Sequence, residues 1–67
     1  MRGIVTKIIK KKRNKNDYGF IDAYDGETYF FLLKYLKGDV RVGQEVFFTG
    51  SENEKGFFAK DVHPIGE

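Results

Sequence analysis

Asp22, Asp25 and Glu27 form the one carboxylate cluster of this chain that invites an acid–base reading. Asp25 is accounted for by the turn it makes with Gly26. No serine, cysteine or lysine is evidently paired with the cluster as a nucleophile, so the reading is not an enzyme. His63 is the single histidine. It has neither a second ligand of metal-site type nor a nucleophile beside it, and it reads as a surface residue at the end of a strand. The residues left to explain are aromatic. In YGFIDAYDGETYFFLL, residues 18 to 33, a period of two puts Tyr18, Phe20 and Asp22 on one face and Gly19, Ile21 and Ala23 on the other. The second face suits a packed interior; the first carries two large rings beside a carboxylate. After the turn, Phe30 and Leu32 share a face opposite Tyr29, Phe31 and Leu33. Three rings on adjacent strands, all directed away from the aliphatic side, are not scattered surface apolar residues. They are either a contact surface or are covered by a long loop or a second copy of the chain.

The elements that must hold these rings are short strands. GIVTKII, residues 3 to 9, is rich in β-branched residues and reads as the first. KKKRNKN, residues 10 to 16, has no apolar residue and reads as an exposed loop. YGFIDAY is the second strand, Asp25-Gly26 a hairpin turn in which both residues tolerate positive φ, and TYFFLL the third strand. KYLKGDVRVG, residues 34 to 43, reads as an irregular connection with room for one short helical turn. QEVFFTG is a fourth strand, SENEKG a polar turn region, and FFAKDV a fifth strand ending before Pro64, which has no ladder N–H. Five short strands with no long helix imply an all-β fold, a five-stranded antiparallel barrel, because an open sheet this small would leave unpaired edges. Its expected core is Val5, Ile8, Ile21, Ala23, Phe31, Val46, Phe48, Ala59 and Val62.

With 67 residues the chain makes one domain, 1–67, and buries little more than about 60% of its unfolded surface. The absence of cysteine excludes a disulfide framework or thiolate metal site and fits a reducing compartment. After Met1, residues 2 to 15 hold apolar residues only as the pairs Ile4-Val5 and Ile8-Ile9, so they supply neither a signal-peptide core nor a membrane span. The expectation is a soluble, cytoplasmic monomer with no membrane, metal or cofactor partner. The net charge of +2 is segregated: residues 1 to 16 carry seven basic side chains and no acidic one, whereas residues 17 to 67 carry five basic and ten acidic. A field so divided attracts polyanions; the competing reading is a solvated loop that only aids solubility.

In order along the chain, GIV at 3 to 5, YGFI at 18 to 21, YFFL at 29 to 32, GQEVFF at 43 to 48 and KGFFAKDV at 55 to 62 resemble the cold-shock domain. The matches follow its opening Gly-x-Val, its two RNA-binding motifs (Lys-Gly-Phe/Tyr-Gly-Phe-Ile and Val-Phe-Val-His) and its closing Gly-Gln-x-Val-x-Phe and Gly-x-x-Ala-x-x-Val. The resemblance covers nearly the whole chain. It implies an OB-fold barrel that binds single-stranded RNA or DNA with low sequence specificity, as an RNA chaperone or a regulator of transcription or translation. In that family rings on the second and third strands stack unpaired bases, which assigns Tyr18, Phe20 and Phe30 as the platform. The same likeness brings in Lys7 and Leu32 at its contact positions and, through the hairpin of the last two strands, Lys55 and Phe57; the charge of the loop at 10 to 16 adds Lys12 and Arg13. At least one of Phe57 and Phe58 belongs to the core.

The chain departs from the family pattern where contacts are usually made. Lys7-Ile8-Ile9 replaces Trp-Phe-Asn, so an ammonium that can meet only phosphate stands where a ring stacks. Leu32 replaces the histidine of the second motif and loses a hydrogen-bonding edge. Asn16-Asp17 replaces Lys-Gly and sets a carboxylate beside the expected path of a polyanion. The loop at 10 to 16 is longer and carries five positive charges, and the connection at 34 to 43 is shorter. These changes predict a weaker or differently tuned binder. They also favour the rival reading, a barrel that docks another protein through its aromatic face.

Overall fold

The computed structural model describes residues 1–10, 17–36 and 38–65. Its strands are β1 (Arg2–Ile9), β2 (Tyr18–Ala23), β3 (Thr28–Leu32), β4 (Glu45–Asn53) and β5 (Gly56–Pro64), with a single 3₁₀ turn at Leu33–Tyr35. They close into a barrel in the order β1-β2-β3-β5-β4, with β4 returning to β1. Four neighbouring pairs are antiparallel and one, β3 with β5, is parallel. The expected purely antiparallel barrel is therefore corrected. Directions cannot alternate around a closed ring with an odd number of strands, so one neighbouring pair must run the same way. Among the described residues no helix is long and apolar enough to cross a membrane.

The alternation read from the sequence holds along β2 and β3. Gly19, Ile21 and Ala23 are buried, as are Tyr29 and Phe31, while Asp22, Thr28 and Phe30 are exposed. With Val5, Val46, Phe48, Ala59 and Val62 these side chains fill the barrel. Two details differ from the expected core. Ile8 only flanks it, half-buried, and Tyr29 joins it at 4% exposure. Tyr29 can be buried because its hydroxyl donates to Asp25 Oδ2 at 2.9 Å, at the barrel rim. The other oxygen of Asp25 accepts the Glu27 N–H at 2.9 Å, and Gly26 takes φ +92°, so the Asp25-Gly26 turn also secures a core ring. Gly19 is required for space: a Cβ there would lie 2.6 Å from the Lys7 carbonyl oxygen and 2.8 Å from the Phe31 ring.

Donation to the Asp25 carboxylate, aided by burial, raises the pKa of Tyr29 above its ordinary 10.0. The fold thus holds the neutral phenol, and this contribution is complete below the unfolded value. As pH rises past 10.0 the unfolded chain gives up the proton first, and stability falls until the folded group ionises too. Tyr29→Phe should therefore show a shallower loss of stability than the parent as pH rises through and beyond 10.0, read from urea midpoints. An equally steep alkaline loss in the variant would remove Tyr29 as its source.

β4 and β5 are longer than the sequence suggests. β4 continues through Asn53, so most of the polar SENEKG segment is strand and only the tip turns, with Asn53 Oδ1 accepting the Lys55 N–H at 2.8 Å. β5 runs through Pro64, which is paired with Val46 at the strand's end and so forfeits no interior ladder bond. Between the pairs Phe47↔His63 and Thr49↔Lys60, β5 holds one residue more than β4, and Asp61 there takes φ +54°. That bulge lets both Ala59 and Val62, three positions apart, face the core. The β1–β4 closure is clasped outside by Tyr24, whose hydroxyl donates to Glu45 at 2.9 Å, and by Arg2, 3.7 Å from the same carboxylate oxygen.

Candidate nucleic-acid interface

Tyr18 and Phe20 on β2 and Phe30 on β3 form one cluster on the outside of the barrel. The centroids of Tyr18 and Phe30 are 5.5 Å apart, those of Tyr18 and Phe20 5.9 Å, and those of Phe20 and Phe30 6.0 Å. Phe20 stands directly opposite Phe30, and Tyr18 opposite Leu32. The rings shield one another in part, yet Phe30 keeps 36% of its surface open. Tilted and edge-on pairs at these distances are favourable for aromatic quadrupoles, so the three rings support one another.

Lys7 reaches this face through an irregularity in β1. Strict alternation from Gly3 and Val5, both buried, would turn Lys7 into the core. The β1–β2 register shifts between Val5 and Lys7, and after the shift Lys7 is exposed and stands opposite Phe20. The bulge re-aims the ammonium to the rim of the ring cluster and turns Ile8 toward the core. Leu32, half-buried beside Tyr18, extends the apolar edge. Of the other residues assigned from sequence, Lys55 is exposed at the β4–β5 tip. Phe57 turns inward, its ring 5.4 Å from that of Tyr29 and packed against the core. Lys12 and Arg13 lie outside the described residues.

Phe58 is the residue the sequence reading left unassigned. It is half-exposed on the outer face of β5, in register with Phe30 across the parallel pair. Its signal was the run of alternation from Ala59, which makes Phe57 an inner and Phe58 an outer ring. Beside it the Lys60 ammonium lies 5.8 Å from the Phe58 centroid. The cross-strand partners Lys7, Phe20, Phe30 and Phe58 thus form one row over β1, β2, β3 and β5. Chemically this surface offers π-faces with cations at its margins.

The carboxylates are engaged elsewhere. Thr28 donates to Asp22 at 3.0 Å, and Asp25 serves its turn and Tyr29. His63 is exposed, with Nδ1 3.0 Å from the Asp61 carbonyl oxygen and its ring 5.7 Å from Phe47. Among the described residues no group of three or more His, Cys, Asp or Glu side chains could hold a metal ion. Neither a comparison with protein-family models nor one with curated proteins gives a match for this chain.

Proposed function

We propose that this protein is a cold-shock-like, OB-type barrel that binds single-stranded RNA or DNA with low sequence specificity, as an RNA chaperone or a regulator of transcription or translation. The observation that carries the reading is the cluster of Tyr18, Phe20 and Phe30, three outward rings in mutual contact on β2 and β3 with Lys7 at their edge. Unpaired bases stack on such rings, and stacking is tolerant of sequence because every base has a π-face. Lys7 meets a phosphate. The strand order, with β3 parallel to β5 in an otherwise antiparallel ring, suits an OB-type topology. Binding requires neither metal nor cofactor, no reaction is catalysed, and the protein acts as a cytoplasmic monomer.

The rival, docking of another protein on the same face, is favoured by Leu32 beside Tyr18, an apolar group without a hydrogen-bonding edge for a base. Titration with heptathymidine and with a mixed-sequence RNA heptamer, read by tyrosine fluorescence and amide shifts, separates the two. The proposal expects shifts concentrated at 18–20 and 30–32 and at Lys7. Shifts elsewhere only, or none at millimolar oligonucleotide, would favour the protein-docking reading.

A further inference from the structure

We propose that the bound strand continues past Phe30 across β5, placing a further base on Phe58 in the adjoining groove and its phosphate at Lys60. This rests on the single-strand-binding reading and extends its site. β3 and β5 share one paired position, Phe30↔Phe58. Beyond it β5 departs through the bulge at Asp61, and a groove of about 770 Å³ lies over β5, lined from β3, the 3₁₀ turn and β4 as well, with Phe30, Leu32, Lys34, Phe58, Lys60 and Asp61 in its wall. That volume lies within the range of small-ligand clefts, about 300–1,000 Å³, and admits a base with its sugar. Phe30 belongs to both surfaces, so the ring cluster and the groove are continuous.

The chemistry of the groove orients its occupant. Its floor is apolar and aromatic, which suits a base. One carboxylate, Asp61, and one ammonium, Lys34, line its wall, so the interior has no net pull on phosphate, whereas Lys60, exposed on the same face of β5 as Phe58, holds a cation at the rim. The Lys60 ammonium lies 5.8 Å from the Phe58 centroid. An exposed cation–π contact is weaker than a base stack, so a base takes the ring face and the displaced ammonium meets the phosphate beside it. With neighbouring strands about 4.8 Å apart, the row from Lys7 to Phe58 covers about 14 Å, with a cation near each end.

The test compares trithymidine, which three rings can accommodate, with heptathymidine, on the full chain and on Phe58→Ala, Phe58→Leu and Lys60→Gln. The extended site predicts that Phe58→Ala lowers heptamer affinity about fivefold or more, the lower end for one base stack, and leaves trimer affinity unchanged. Phe58→Leu, which keeps apolar bulk on β5, should lose nearly as much. Lys60→Gln should weaken heptamer binding and flatten its salt dependence. In the parent, amide shifts at 58–61 should appear with the heptamer and not with the trimer. A parent that binds the heptamer as tightly as Phe58→Ala does overturns the extension and leaves the ring cluster standing; a parent that binds neither oligomer overturns both.

Discussion

Phe48→Ala should lower the stability of this barrel by about 3 to 5 kcal/mol, the range for truncating a buried phenylalanine. The ring is 3% exposed and its centroid lies 5.0 Å from that of Tyr29, so the truncation opens a hole inside the core. Backbone closure on both sides of Phe48 limits relaxation: β4 is paired with β1 and with β5. A domain of this size has a total stability of roughly 3 to 10 kcal/mol, so the variant is at or near unfolding at room temperature. Thermal denaturation should show a midpoint lowered by more than about 10 °C, or no cooperative transition at all. Phe47→Ala is the internal comparison, because the same strand turns that ring outward to 42% exposure, and it should cost less than about 1 kcal/mol. Equal losses in the two variants would mean that β4 does not present Phe48 and Phe47 to opposite sides.

The barrel and its ring cluster were legible because period-two alternation is strongest where one face is aliphatic and the other is not, as in Tyr18–Ala23 and Thr28–Leu32. Asp25-Gly26 marked the turn because its conformation admits few other residues. What stayed hidden depends on bulges and on closure. Lys7 faces outward only because the register slips after Val5, and no local pattern in GIVTKII announces that slip. Phe57 and Phe58 are ambiguous for the same reason. Counting back from Val62 turns Phe58 inward, counting from Ala59 turns it outward, and the extra residue at Asp61 makes the second count hold for the ring. Tyr29 is missing from the expected core although it shares a face with Phe31; its buried hydroxyl needs a partner, and Asp25 supplies one only in the folded turn. The parallel β3–β5 pair follows from closure of an odd number of strands, a property of the ring that no strand carries by itself.

Binding should divide into two contributions that respond differently to salt. Phe20→Ala or Phe30→Ala removes a stacking face and should lose about 1 to 3 kcal/mol of heptamer affinity at every salt concentration. Its slope of log affinity against log salt should match that of the parent, since no phosphate contact is lost. Both rings stand on the outer face, so the fold tolerates their removal far better than that of Phe48. Replacing Lys11, Lys12 and Arg13 together by glutamine should do the reverse. Each phosphate contact given up releases fewer counterions and flattens the slope by about 0.7 on a single strand. One or two contacts are expected rather than three, because Asp17 lies at the base of this segment and opposes the approach of a polyanion there. An unchanged slope in the triple variant, with the ring variants weakened, would make residues 10 to 16 a solvated basic segment and leave the aromatic face with Lys7 as the binding surface. A flattened slope in the ring variants would instead mean that Phe20 and Phe30 position the phosphates rather than stack the bases.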